Sequence, residues 1–92
     1  MPIITRQVTL SNTVATEIVG HDNMPHDVIL HNMTKSSNEF IFYGGADVTL
    51  TNSPHIDPGT TVQFTLRPGD RLFAMSSPNG LVVGVMDIRK VD

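Results

Sequence analysis

Glu39-Phe40-Ile41-Phe42-Tyr43-Gly44-Gly45-Ala46-Asp47-Val48-Thr49-Leu50, then Asp57-Pro58-Gly59-Thr60, then Thr61-Val62-Gln63-Phe64-Thr65-Leu66, then Arg67-Pro68-Gly69-Asp70-Arg71-Leu72-Phe73-Ala74, is the stretch that decides the fold. Apolar runs of strand length alternate here with glycine turns. In Asp57–Thr60 and Arg67–Asp70 a proline fixes φ near about −65° and the following glycine accepts positive φ, the signature of a type II turn. Between the turns, Val62, Phe64 and Leu66 alternate with Thr61, Gln63 and Thr65. That period places the first set toward a core.

Phe40, Ile41, Phe42 and Tyr43 are all large, so both faces of their strand lose water. One face packs on the core, and the other needs a second layer or a partner chain. Gly44-Gly45 ends this strand, since two glycines admit positive φ without steric cost. Ala46–Thr51 then resumes as a short strand with Val48 and Leu50 on one face.

Working outward, Asp27–Met33 is the preceding strand. Lys35–Asn38 is a four-residue turn that joins it to Glu39–Tyr43 as a hairpin. Residues 3–10 are a strand in which adjacent Ile3 and Ile4 point to opposite faces, so one of them lies off the core or on a neighbouring subunit. Residues 11–20 are rich in β-branched side chains, which favours a strand or irregular segment over a helix. Gly20–Pro25 is a loop, as is Asn52–Ile56. Arg71–Ser76 is a strand, Ser77-Pro78-Asn79-Gly80 a turn, and Leu81–Val91 the last strand. The expected fold is all-β: an antiparallel β-sandwich or jelly-roll-like small barrel of about seven to eight strands. Residues 1–25 form an N-terminal strand or arm open to an inter-subunit position. Residues 26–92 form the sandwich core of a single domain.

Composition excludes several roles. The 92 residues contain no cysteine, so neither a disulfide scaffold nor a thiolate metal site can form within them. The net charge is −3, and six scattered Lys and Arg make no basic patch for nucleic acid. No run approaches the roughly 20 apolar residues of a membrane helix, and Met1–Arg6 lacks a signal-peptide pattern. A surface with only 16% charged residues loses little ion hydration at a protein contact.

The titratable groups are scattered along the chain. Of His21, His26, His31 and His55, the pair His26 and His31 are five apart on one strand and face opposite sides. A zinc site needs roughly three or four convergent ligands, and His55 with Asp57 supplies two. The carboxylates are dispersed at turns, where Asp57 and Asp70 accept backbone N–H groups. No nucleophile elbow, phosphate loop or His-x-x-x-His pair is present. The expectation is a non-enzyme with no cofactor, no metal and no catalytic residue. One binding alternative is a small metal-free ligand- or glycan-binding jelly roll using Tyr43, His55 and Asp57 at one rim.

The block Ile41–Thr49, with Ile56-Asp57-Pro58-Gly59, Phe64-Thr65-Leu66 and Asp70-Arg71-Leu72-Phe73-Ala74-Met75, resembles small all-β virion proteins of tailed bacteriophages. The shared pattern is an apolar strand, a Gly-Gly pair, a Val-Thr, a Pro-Gly turn, and an Asp followed by an apolar dipeptide and Ala. It covers about residues 26–90. The resemblance implies a capsid decoration protein that binds and stabilises the major capsid protein shell, with a head–tail, neck or tail accessory as the alternative. It implies a homo-oligomer, with a trimer as the expected state, made in the host cytoplasm and carried on the virion surface. The residues expected at protein interfaces are Ile3, Ile4, Phe40, Phe42 and Tyr43. Those expected to shape turns are Gly44, Gly45, Pro58, Gly59, Pro68, Gly69, Asn79 and Gly80.

Overall fold

The computed structural model describes residues 3–20, 24–51 and 53–89. Eight strands form: β1 (Ile3–Thr9), β2 (Thr16–Val19), β3 (His26–Asn32), β4 (Phe40–Gly44), β5 (His55–Ile56), β6 (Thr61–Leu66), β7 (Leu72–Ser77) and β8 (Val82–Arg89). The first sheet has the order β1-β8-β3-β6 and the second β2-β7-β4-β5, with every pairing antiparallel. No helix forms among the described residues.

The order has a simple derivation. β4 pairs with β5, β3 with β6, β2 with β7 and β1 with β8. The chain is thus a long antiparallel ribbon doubled back at the β4–β5 connection. Rolling that ribbon brings β8 against β3 and β7 against β4. This is jelly-roll winding of a two-sheet sandwich, within the all-β class the sequence implies.

Alternation fills the core. Val28 and Leu30 of β3 and Val83 and Val85 of β8 point inward from the first sheet. Ile41, Ile56, Leu72 and Ala74 meet them from the second, with Leu10, Ile18, Val19, Leu66 and Leu81 around them. Both type II turns form: Asp57 O accepts from Thr60 N at 3.1 Å with Gly59 at φ +74°, and Arg67 O accepts from Asp70 N at 3.0 Å with Gly69 at φ +87°. Asp70 also accepts from Arg67 N at 2.9 Å, as expected of an Asp beside a turn. Asn79-Gly80 likewise sits in a turn, with Gly80 at positive φ.

Several expectations are corrected. β3 and β4 are not a hairpin, because β3 lies in the first sheet and β4 in the second. The link is made by Asn32, which is wholly buried. Its side-chain amide donates to the carbonyls of Glu39 at 2.8 Å and Ile56 at 2.9 Å, while its side-chain oxygen accepts from Thr34 N and Oγ1. Its backbone continues the β3–β6 ladder, donating to Thr60 O and accepting from Gly59 N. Asn32 thereby joins the start of β4 and the end of β5 to the opposite sheet.

Ala46–Thr51 is not a strand. Hydroxyls compete locally for its backbone: Thr49 N donates to Ser53 Oγ, and Val48 N closes a turn on Gly45 O. The partner position beside β4 is taken instead by His55–Ile56, read from sequence as loop. Gly44 and Gly45 occupy the strand end and turn, but neither has positive φ. Val62 and Phe64 are half-buried rather than buried, because β6 is a sheet edge.

Residues 3–20 do not stand apart as an arm. β1 pairs with β8 along its whole length, and Leu10, Ile18 and Val19 are in the core. Residues 21–23, within the expected loop, and residues 90–92, which include the end of the expected last strand, lie outside the described residues.

Replacing Asn32 by Ala would remove its bonds to the Glu39 and Ile56 carbonyls, leaving Thr34 Oγ1 at 3.4 Å as the side-chain donor to Glu39 O. A loss of about 2–4 kcal/mol in urea unfolding with an unchanged m-value is expected. Gly59→Ala and Gly69→Ala each force a Cβ into positive φ and should cost about 1 kcal/mol in the same assay.

Candidate functional site

Residues opposite one another across a ladder share a face. The outward face of the second sheet therefore gathers Phe42, Met75 and His55 in one row, with Phe40 beside Ser77 and Phe73 beside Gly44. The His55 ring lies between two aromatics, edge-on to Phe40 at 5.2 Å and tilted to Phe42 at 5.7 Å. Its Nε2 is 3.1 Å from Asp57 Oδ1. Met75, beside Phe42 in this row, is buried although it points outward. Phe40 and Phe42 thus form an aromatic patch on this sheet's outer surface.

Tyr43 takes the other side. It is opposite Ala74 in the register and stacks on Phe64 across the sandwich, with ring centroids 5.7 Å apart and planes within 7°. Tyr43 and His55 consequently lie on opposite faces of one sheet, so the trio Tyr43, His55 and Asp57 does not converge. Among the described residues, no group of three or more His, Asp or Glu is placed to hold a metal.

The outward face of the first sheet is the second surface. Ile3, Met86 and Ile88 project from β1 and β8, Ile29 from β3, and Met33 follows β3. Thr5, Gln7, Thr9, Thr61, Gln63 and Thr65 border them. Gly84 sits mid-sheet between Gln7 and His31 and presents no side chain, which opens a cleft of about 250 Å³. Met33 overhangs it: a Cβ at Gly84 would meet the Met33 sulfur at 3.3 Å. Ile3 is 58% exposed and Ile4 49%, on opposite sides of the edge strand β1. The separation of adjacent Ile3 and Ile4 follows the expectation from sequence.

One polar pair lies inside. His26 Nδ1 is hydrogen-bonded to the Asp87 carboxylate, and both residues are buried. Nothing in the sequence marks this pair, because the residues are 61 positions apart. His31, on the same strand, points outward and bonds Thr61 Oγ1 at 2.9 Å, so the two histidines do face opposite sides.

Comparison with known proteins gives one structural finding. No protein-family model matches the chain, and no curated protein matches it. Among solved structures the chain is similar to one from Bacillus endospore appendages, described as a novel family of disulfide-linked pili. The TM-score is 0.65 with 17% sequence identity, over 98% of this chain and 85% of that one. The likeness is one of fold. It places the sandwich among architectures seen experimentally and leaves function to the surfaces described above.

Truncating Asp87 removes the acceptor of a buried histidine. Asp87→Ala should therefore lower unfolding free energy by about 3–5 kcal/mol. A loss below about 1 kcal/mol in chemical denaturation would show that the pair contributes little to folding.

Proposed function

We propose that this chain is a structural protein acting in many copies, a decoration protein that binds the major capsid protein of a tailed-bacteriophage shell and carries no catalytic site. The observation that carries the reading is that a sandwich this small turns apolar side chains outward on both sheets. Phe40 and Phe42 do so on one side, and Ile3, Ile29, Met33, Met86 and Ile88 on the other. Such side chains lose water on docking, and the low charge around them limits the desolvation cost. The resemblance of Ile41–Met75 to small phage virion proteins supplies the particle.

Decoration fits thin binding surfaces. A symmetric shell multiplies one contact many times, so each copy needs only modest affinity. The structural neighbour is named as a pilus family, which is also a repeating assembly. The disulfide linkage in that name has no counterpart within these cysteine-free 92 residues.

The test is co-sedimentation of the purified protein with capsid shells assembled without it. Saturation at a fixed ratio to the capsid protein is the expected result. Phe42→Gln should weaken that binding at least roughly tenfold, corresponding to about 1.4 kcal/mol, while changing unfolding free energy by less than about 1 kcal/mol. Absence of shell binding would remove the reading. A copy number of about a dozen per particle would move the protein to the neck or tail.

A further inference from the structure

We propose that copies of this chain associate head-to-tail by adding β1 of one copy to β6 of the next, so that the first sheet runs on from one subunit into its neighbour. The inference rests on the reading of the chain as a multi-copy structural subunit and specifies the contact between copies.

The starting point is Ile3 and Ile4. They are adjacent, both about half exposed, and they point to opposite faces of an edge strand. A partner laid on either face would cover only one of them. A strand added alongside β1 supplies neighbours on both faces at once: in the register below Ile4 lies opposite Leu66, and Ile3, beyond the end of β6, is diagonal to Thr65. The edge is open to such an addition: among the described residues β1 pairs only with β8 and β6 only with β3. Edge strands are commonly guarded by lysine, an inward-pointing charge, proline or a bulge, and on these two edges Arg6 of β1 is the one such device. β1 and β6 contain no lysine and no proline, and their registers run without a shift.

The two edges match each other. β1, β8, β3 and β6 alternate in direction, so a copy continuing the sheet presents β1 antiparallel to β6. Setting Thr9 opposite Thr61 aligns Val8 with Val62, Gln7 with Gln63, Arg6 with Phe64, Thr5 with Thr65 and Ile4 with Leu66. Every pair keeps its face: Val8, Arg6 and Ile4 are on the core side of β1, as Val62, Phe64 and Leu66 are on β6. The outer side becomes a Thr–Thr, Gln–Gln, Thr–Thr ladder, and no like charges oppose.

Arg6 selects between partners. It points to the core side and donates to the Ile18 carbonyl. Two β1 strands paired fully about a two-fold axis would set Arg6 against its own copy, whereas β6 offers the ring of Phe64. Pairing two β6 strands would leave Ile3 and Ile4 in water. The contact is heterologous, so it forms a closed ring if its rotation closes and a fibre if it does not.

Gln7 and Gln63 are exposed on opposite edges of one subunit, so charges placed there meet only between copies. Light scattering of the full chain across a concentration series is the test, with thermal unfolding checking that each variant folds. Wild type should rise above the single-chain mass of 10.1 kDa. The double variant Gln7→Lys/Gln63→Lys should weaken association at least roughly tenfold. The double variant Gln7→Lys/Gln63→Glu should restore it in a salt-sensitive way. Unchanged association in the first double variant overturns the proposal. So does a wild type that stays at 10.1 kDa, even if it coats shells, in which case capsid binding stands alone. A protein that shows the charge pattern but ignores shells keeps the edge contact and loses the capsid reading.

Discussion

The buried side chain of Asn32 ties the jelly roll together. A two-sheet sandwich rolled from a single ribbon must change sheets at nearly every connection. The strand ends there would leave carbonyls inside, away from water. Asn32 answers this at the β3–β4 crossing by donating to Glu39 on one side and Ile56 on the other. Its own backbone meanwhile extends the β3–β6 ladder. A leucine of similar size would fill the space but take both of these bonds away, which is why a polar residue is wholly buried here.

At the same end of the sandwich, across Val83 from Asn32, backbone groups bridge the connections as well. Leu10 N donates to Leu81 O and Gly80 N to Leu10 O, while Ser76 N of the second sheet donates to Ser11 O. The segment after β1 thus spans both sheets. Residues 3–20 share the core with the rest, through Leu10, Ile18 and Val19.

A domain of this size has little interior to fill, and its strands are populated accordingly. The inward positions hold valine, leucine and isoleucine, and the surplus apolar residues emerge on the outer surfaces. The two surfaces differ in kind. On the second sheet Phe40 and Phe42 close around His55, a compact aromatic cover. On the first, Gly84 leaves a hollow edged by threonine and glutamine. The exposed ion pairs Arg67–Asp70 and Arg71–Glu17, at 3.8 and 3.7 Å, add little to stability in water.

The sequence by itself determined the all-β class, the Pro-Gly turns at Gly59 and Gly69, the alternation of β6 and the opposed directions of Ile3 and Ile4. Each depends on local stereochemistry: proline's ring, glycine's missing Cβ and the two-residue period of a strand. Tertiary structure decided which strands became neighbours. A tight-looking turn at Lys35–Asn38 reads the same whether the chain returns to its own sheet or crosses to the other, and only Asn32's partners on β4 and β5 resolve it. The His26–Asp87 pair, the substitution of His55–Ile56 for Ala46–Thr51 beside β4, and the inward turn of Tyr43 onto Phe64 were likewise invisible in sequence. They are contacts between residues far apart in the chain, fixed by register across ladders, and no local pattern encodes that register.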